Sequence, residues 1–218
     1  MFDLWLTLQA PLSHGAFGPR VGNATPIRRE PVVSLDGAPL VPCVSGNALR
    51  GVMRRAIMRE MFDVCDLHRG SPDLRPKVWD RLYAALANGG HLDGTEHTVS
   101  PDARRALRAA LPPVSVFGAS LYSYLLPGRL QVGLAWPVCR ELEAVGLVRS
   151  AADTRTLPAC AEDLVSETTS VRHIDRDEHD PEDSGVTPMP VTIEALSTGA
   201  VLHARITLQG PGGTPDPL

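Results

Sequence analysis

The chain reads as an α+β protein, for three reasons. Near its start Phe2, Leu4, Leu6 and Leu8 alternate with Asp3, Trp5, Thr7 and Gln9, the period of two that turns one strand face to a core. From residue 45 the period lengthens: Leu49, Val52, Met53, Ala56, Ile57 and Met61 recur at helical spacing, behind Ser45 or Asn47 as cap. After Phe117-Gly118 it returns to two, with Leu130, Val132, Leu134 and Trp136 on one face.

The intervening and later segments follow from turn and cap chemistry. Residues 11–31 hold Gly15, Gly18, Gly22, Pro19 and Pro26 among Arg, Asn and His, too many turn formers for a plain connection. Residues 32–44 suit a short hairpin turning at Asp36-Gly37. A second helix is expected over residues 75–88, stopped by Gly89-Gly90, and a third from Ser100 as cap with Pro101 in its first turn. Residues 162–190 are polar and acidic, as in a protruding loop or long hairpin. Residues 191–196 and 201–208, joined by Ser197-Thr198-Gly199, are expected to form another hairpin, before a Gly/Pro-rich tail at 209–218.

Composition narrows the class. With 218 residues the chain is long enough for its own core, and 43% hydrophobic and 21% charged residues exclude a disordered tail. No run approaches the roughly 20 apolar residues of a membrane span, and Asp3 stands where a signal peptide carries positive charge, so a cytoplasmic protein with no membrane partner is expected. Cys43, Cys65, Cys139 and Cys160 lie far apart with no CxxC pair, the usage of reduced, mostly buried thiols.

Charge is segregated. Residues 20–59 carry seven Arg against two acids, whereas residues 141–183 carry twelve acids against four Arg, in a chain of net charge −4. The basic residues are 20 Arg and the single Lys77; Arg suits bidentate phosphate contact, although a GC-rich genome produces the same bias. The strongest local signal lies in the basic part: Pro42-Cys43-Val44-Ser45-Gly46-Asn47-Ala48-Leu49-Arg50-Gly51-Val52-Met53-Arg54-Arg55, a strand, a Gly turn and an Arg-bearing helix. Free N–H groups, the helix dipole and guanidiniums together favour a phosphate there, and an ordinary capped helix with a basic face has the same pattern. It is not a Walker loop, since GxxxxGK[ST] is absent.

This segment, preceded by a Gly-rich loop and Arg28-Arg29-Glu30-Pro31-Val32, resembles the signature of the RAMP-superfamily backbone subunits of CRISPR effector complexes, the Cas-seven group. His14-Gly15, Val116-Phe117-Gly118, the Arg/Asp-rich stretch at residues 172–177 and Glu194-Ala195-Leu196-Ser197-Thr198-Gly199 fall in the order such subunits show, across roughly half of the chain. The resemblance implies a modified RRM-like (ferredoxin-like) core from residues 1–62 and 113–208, a helical insert at 63–112 and a β-hairpin thumb at 162–190. Relatives continue past the strand at 204–208 with a helix and a final strand, whereas this sequence stops within ten residues: either it is truncated, or those elements are missing and a neighbouring subunit covers the sheet edge.

The implied function is that of a non-catalytic subunit that polymerises along a guide RNA (crRNA) and presents it for pairing. By resemblance the guide lies on Ser45, Gly46, Asn47, Arg50 and Arg54, with His14, Arg20, Arg28 and Arg29 from the loop, Arg172, His173 and Arg176 near the thumb, and Met189 wedging between bases. Implied partners are the crRNA, a target nucleic acid (DNA rather than RNA), neighbouring copies, a Cas-five-like cap, a large subunit and a helicase. Scarce aromatics, 5% of residues, agree with binding through phosphate and sugar rather than base stacking.

The rival within the superfamily is a ribonuclease that cleaves target RNA or processes the guide precursor. Type III relatives cut with an Asp in a context like Asp-Asn-Pro-Val-Ile-Arg; here Gly22-Asn23-Ala24-Thr25-Pro26-Ile27-Arg28 puts Ala24 at that place, and Ala neither ligates metal nor moves a proton. The wording around Arg28 to Val32 and Ser45 to Asn47 is most similar to the type IV backbone protein, so no cofactor and no catalytic residue are expected. Cys65, His68, His91 and His97 have partial zinc-ligand spacing, but the 22 residues between His68 and His91 would have to fold back, and exposed His with one buried Cys fits equally. The run His173, Asp175, Asp177, Glu178, His179 and Asp180 reads as a solvated face.

Overall fold

The computed structural model of the chain describes residues 1–16, 24–35, 37–71, 75–91, 100–121, 124–148, 160–171 and 190–210. In order these form β1 (Phe2–Thr7), β2 (Ala24–Thr25), β3 (Arg29–Pro31), β4 (Leu40–Pro42), α1 (Gly46–Val64), α2 (Pro76–Ala87), β5 (Gly90–His91), α3 (Pro101–Ala110), α4 (Pro112–Phe117), β6 (Gly118–Leu121), β7 (Tyr124–Pro127), β8 (Leu130–Val132), β9 (Trp136–Pro137), α5 (Arg140–Ala144), β10 (Val165–Val171), β11 (Pro190–Leu196) and β12 (Val201–Leu208). Among them no helix is long and apolar enough to cross a membrane.

The main sheet has the strand order β1-β12-β8, with β9 also on β12. With β1, β8 and β12 as first, second and third strands and α1 following the first, this is the order of a ferredoxin-like core, as expected. Three smaller sheets accompany it: β10-β11-β2, β3-β4 and β5-β6-β7. The chain divides into two compact units, one made of Met1–Asp3, Ser45–Gly133 and the chain from Arg205, the other of Leu4–Val44 and Leu134–Ala204.

In the first unit the helices pack on a core of Met58, Phe62, Leu86, Ala87, Val114, Ala119 and Leu126, with Trp79 and Leu82 against it. The aromatic rings of Phe62 and Trp79 meet at a centroid distance of 5.0 Å, a tilted pair that adds to apolar burial. Ser100 caps α3 as expected, its Oγ accepting from the Ala103 N–H at 3.2 Å. The face of α1 differs from the sequence expectation. Gly46, Met58 and Phe62 are its buried residues, whereas Val52 and Ile57 are exposed. The buried row steps by four residues through Arg50 and Arg54, so apolarity alone misplaces the inward face.

In the second unit Val32, Val41, Cys139, Leu142, Val148 and Ala161 form the core. The hairpin expected over residues 32–44 begins earlier: β3 and β4 pair antiparallel from Arg29↔Pro42 to Pro31↔Leu40, with Gly37 at φ +135° between them and Asp36 outside the described residues. Burial pushes the Cys43 thiol up to about 11 and that of Cys139 to about 12. Strands β10 and β11 pair antiparallel over seven residues, from Val165↔Leu196 to Val171↔Pro190, and β2 adds in parallel at Thr192↔Ala24. This corrects the hairpin expected between residues 191–196 and 201–208. β11 and β12 belong to different sheets, because the turn at Ser197 to Ala200 sends the chain on rather than back. Period-two alternation shows which residues share a strand face but not which strand lies alongside.

Candidate functional site

The Ser-Gly-Asn turn is built by close packing. Ser45 is the N-cap of α1, its backbone extended and its Oγ accepting from the Ala48 N–H at 3.2 Å, so its hydroxyl is engaged within the helix. Gly46 follows with its Cα flush against β8: a Cβ there would collide with the Val132 carbonyl oxygen and lie 2.7 Å from that of Gly133. That approach brings the first turn of α1 beside β8 and β12.

A cavity of about 420 Å³ opens at this junction. Asn47 and Arg50 line it from α1; Gln131, Val132 and Gly133 line it from β8 and its end, and Arg205 and Thr207 from β12. No carboxylate and no aromatic ring are among these lining residues. Arg50 makes no hydrogen bond or ion pair with the described residues, and Arg205 has only Asp3 at 3.7 Å, an exposed and weak pair. Two guanidiniums with three neutral donor-acceptor side chains suit an anion carrying hydroxyl groups.

Arg54 is occupied differently from the sequence expectation. Its guanidinium lies over the Phe117 ring at 5.6 Å and donates to the Phe117 carbonyl and, at 2.8 Å, to that of Gly118. It thereby satisfies acceptors at the end of α4. Burial, with the neighbouring charge of Arg50, lowers its pKa, and the arrangement turns Arg54 into the unit's interior.

In the second unit His14, Arg28 and Arg29 sit near the hairpin. Arg28 donates to Glu30 at 2.6 Å. Arg29 donates to Glu194 at 2.6 Å and to both oxygens of Glu162 at 3.2 Å. The carbonyl of His14 accepts from the Arg28 N–H at 2.7 Å, and burial followed by the charge of Arg28 lowers the His14 pKa. These arginines are thus held by carboxylates of their own unit. Ala24, exposed, begins β2. Arg20, Arg172, His173, Arg176 and Met189 lie outside the described residues, as does His97. Cys65 is exposed and His68 Nδ1 accepts from the Gly70 N–H at 3.1 Å. Among the described residues no three metal-ligating side chains converge.

Sequence reasoning missed Gln131, Gly133, Arg205 and Thr207. Their signal is faint, since polar residues alternating on a strand look like any solvated face until β8 and β12 are paired.

Among solved structures, a chain of a Type IV-B CRISPR complex superposes over 96% of this chain and 73% of its own length, with a TM-score of 0.58 and 19% sequence identity. The chain has the fold of a CRISPR complex subunit. This bears out the fold expected from the resemblance of the Ser-Gly-Asn segment. Thermofilum pendens Csc2 (TM-score 0.37, 17% identity, 94% of this chain and 53% of that one) and a chain of the Type III-B Cmr-beta complex bound to cognate target RNA (0.38, 10%, 97% and 85%) are more distant. No protein-family model and no curated protein matches the sequence.

Proposed function

We propose that the chain is a crRNA-binding backbone subunit of a CRISPR effector ribonucleoprotein, of type IV, present in several copies along the guide. The observation that carries this reading is the cavity beside the start of α1, where Arg50 and Arg205 face a space with no carboxylate among its described lining residues. A ribonucleic acid backbone supplies the phosphates such a site takes, and the absence of aromatic lining suits binding without base preference. The fold shared with the Type IV-B CRISPR complex supports the same reading. In it the subunit holds RNA and does not cut it, and its partners are the crRNA, target DNA, neighbouring copies and other effector subunits. Ala24 in place of the type III Asp supports the non-catalytic role.

The test is to co-express the full chain with a CRISPR array, size the purified particle and sequence its nucleic acid. A large particle holding discrete guide-length RNA is the expected result. A particle free of nucleic acid, or one that fragments added target RNA in the presence of Mg²⁺, overturns the proposed role.

A further inference from the structure

The strand half of the cavity has a register that matters chemically. Thr207 of β12 stands directly opposite Gln131 of β8, and the next pair is Ile206↔Val132. The ladder continues where the Gly133 N–H donates to the Arg205 carbonyl at 2.8 Å, so Arg205 and Thr207, two residues apart, share one face with Gln131 and Gly133. Directly opposed side chains have Cβ atoms about 4.5–5.5 Å apart, close enough for the Gln131 amide and the Thr207 hydroxyl to reach a single small group between them. Gly133 leaves that face without a side chain, where another backbone can come close.

The chemistry of the set is selective. Arg50 and Arg205 satisfy an anion; Gln131 and Thr207 are neutral and each both donates and accepts. A phosphate uses only donors, so the acceptors of Gln131 and Thr207 call for a ligand group with a proton to give. A ribose 2′-hydroxyl, next to the phosphate in RNA and missing in DNA, is such a group. We infer that the Gln131–Thr207 pair binds a ribose 2′-hydroxyl and makes this site select RNA over DNA. The inference rests on the proposed RNA-binding role and adds its sugar specificity.

The experiment measures binding of the full chain to one 5′-labelled single-stranded sequence made as RNA, as DNA and as 2′-O-methyl RNA. Wild type is expected to bind RNA about five- to tenfold more tightly than DNA, the worth of one or two hydrogen bonds. The 2′-O-methyl strand should bind no better than DNA. In the Gln131→Leu, Thr207→Val variant the ratio of RNA to DNA affinity should fall to about one. The modified strands make the test even where that variant does not fold. Equal wild-type binding of RNA and DNA, or a folded variant that keeps the wild-type ratio, overturns the sugar assignment and leaves the RNA-binding role standing. Failure of wild type to bind any strand overturns both.

Discussion

Arg29 of β3 donates to Glu194 Oε2 of β11 at 2.6 Å, and the same oxygen accepts the Ile27 N–H at 2.9 Å. The bond from Arg29, opposed by burial and helped by the Ile27 N–H, holds the Glu194 carboxyl below its usual range. A depressed folded-state pKa means stability that is present above the unfolded value, near 4.5, and lost as pH falls through the folded one. Glu194→Gln is expected to cost about 1–2 kcal/mol at pH 7, and little at a pH where both forms are neutral. Urea midpoints measured from pH 7 down through the acid range check this; a cost that does not shrink as the pH falls sinks it.

Arg50 and Arg54 are one turn apart on α1 and should behave oppositely. Arg54→Ala leaves the buried carbonyls of Phe117 and Gly118 without their donor, and is expected to cost about 2–3 kcal/mol and lower Tm by roughly 5–10 °C. Its RNA affinity, measured well below that Tm, should match wild type. Arg50→Ala should leave Tm within about 2 °C and weaken RNA binding.

Replacing Gly46 by Ala tests the packing of the turn. At the start of an exposed helix Ala would be favoured over Gly by about 0.5–1 kcal/mol. Here its Cβ meets the carbonyls of Val132 and Gly133, so the expected sign is reversed, with a loss of about 1–3 kcal/mol and weaker RNA binding as the cavity wall shifts. An unchanged or raised Tm would refute the steric account.

Sequence reached some of this directly and missed the rest for definable reasons. The caps Ser45 and Ser100 and the turn beside Gly37 are local devices, each complete within four residues, and all stand where expected. In sequence Arg29 and Arg54 look free, as any guanidinium in a basic segment does until its partner within the chain is known. Those partners lie 165 and 63 residues away. The cavity's helical half was legible as Asn47 and Arg50; its strand half depends on pairing two strands some 70 residues apart in sequence, which no local pattern encodes.

Removing both cavity arginines provides an electrostatic measurement. For single strands each phosphate contact contributes about 0.7 to the slope of log affinity against log salt. The Arg50→Ala, Arg205→Ala variant should therefore lose about 1.4 from that slope, whatever the RNA sequence. A slope equal to that of wild type would remove these residues from the phosphate contacts.

The carboxylate partners of Arg28 and Arg29 also bear on how fast RNA can be captured. With those guanidiniums paired to carboxylates at 2.6 Å and a net charge of −4, the molecule as a whole offers a polyanion no long-range attraction, and beyond the Debye length, about 8 Å at physiological salt, its field is screened. Attraction operates only at close range, so encounter gains none of the electrostatic steering that speeds strongly basic RNA-binding proteins. Diluting the salt should then slow release of bound RNA far more than it speeds association. A protein with these kinetics scavenges free RNA poorly and retains best a strand delivered to it by a neighbour already bound.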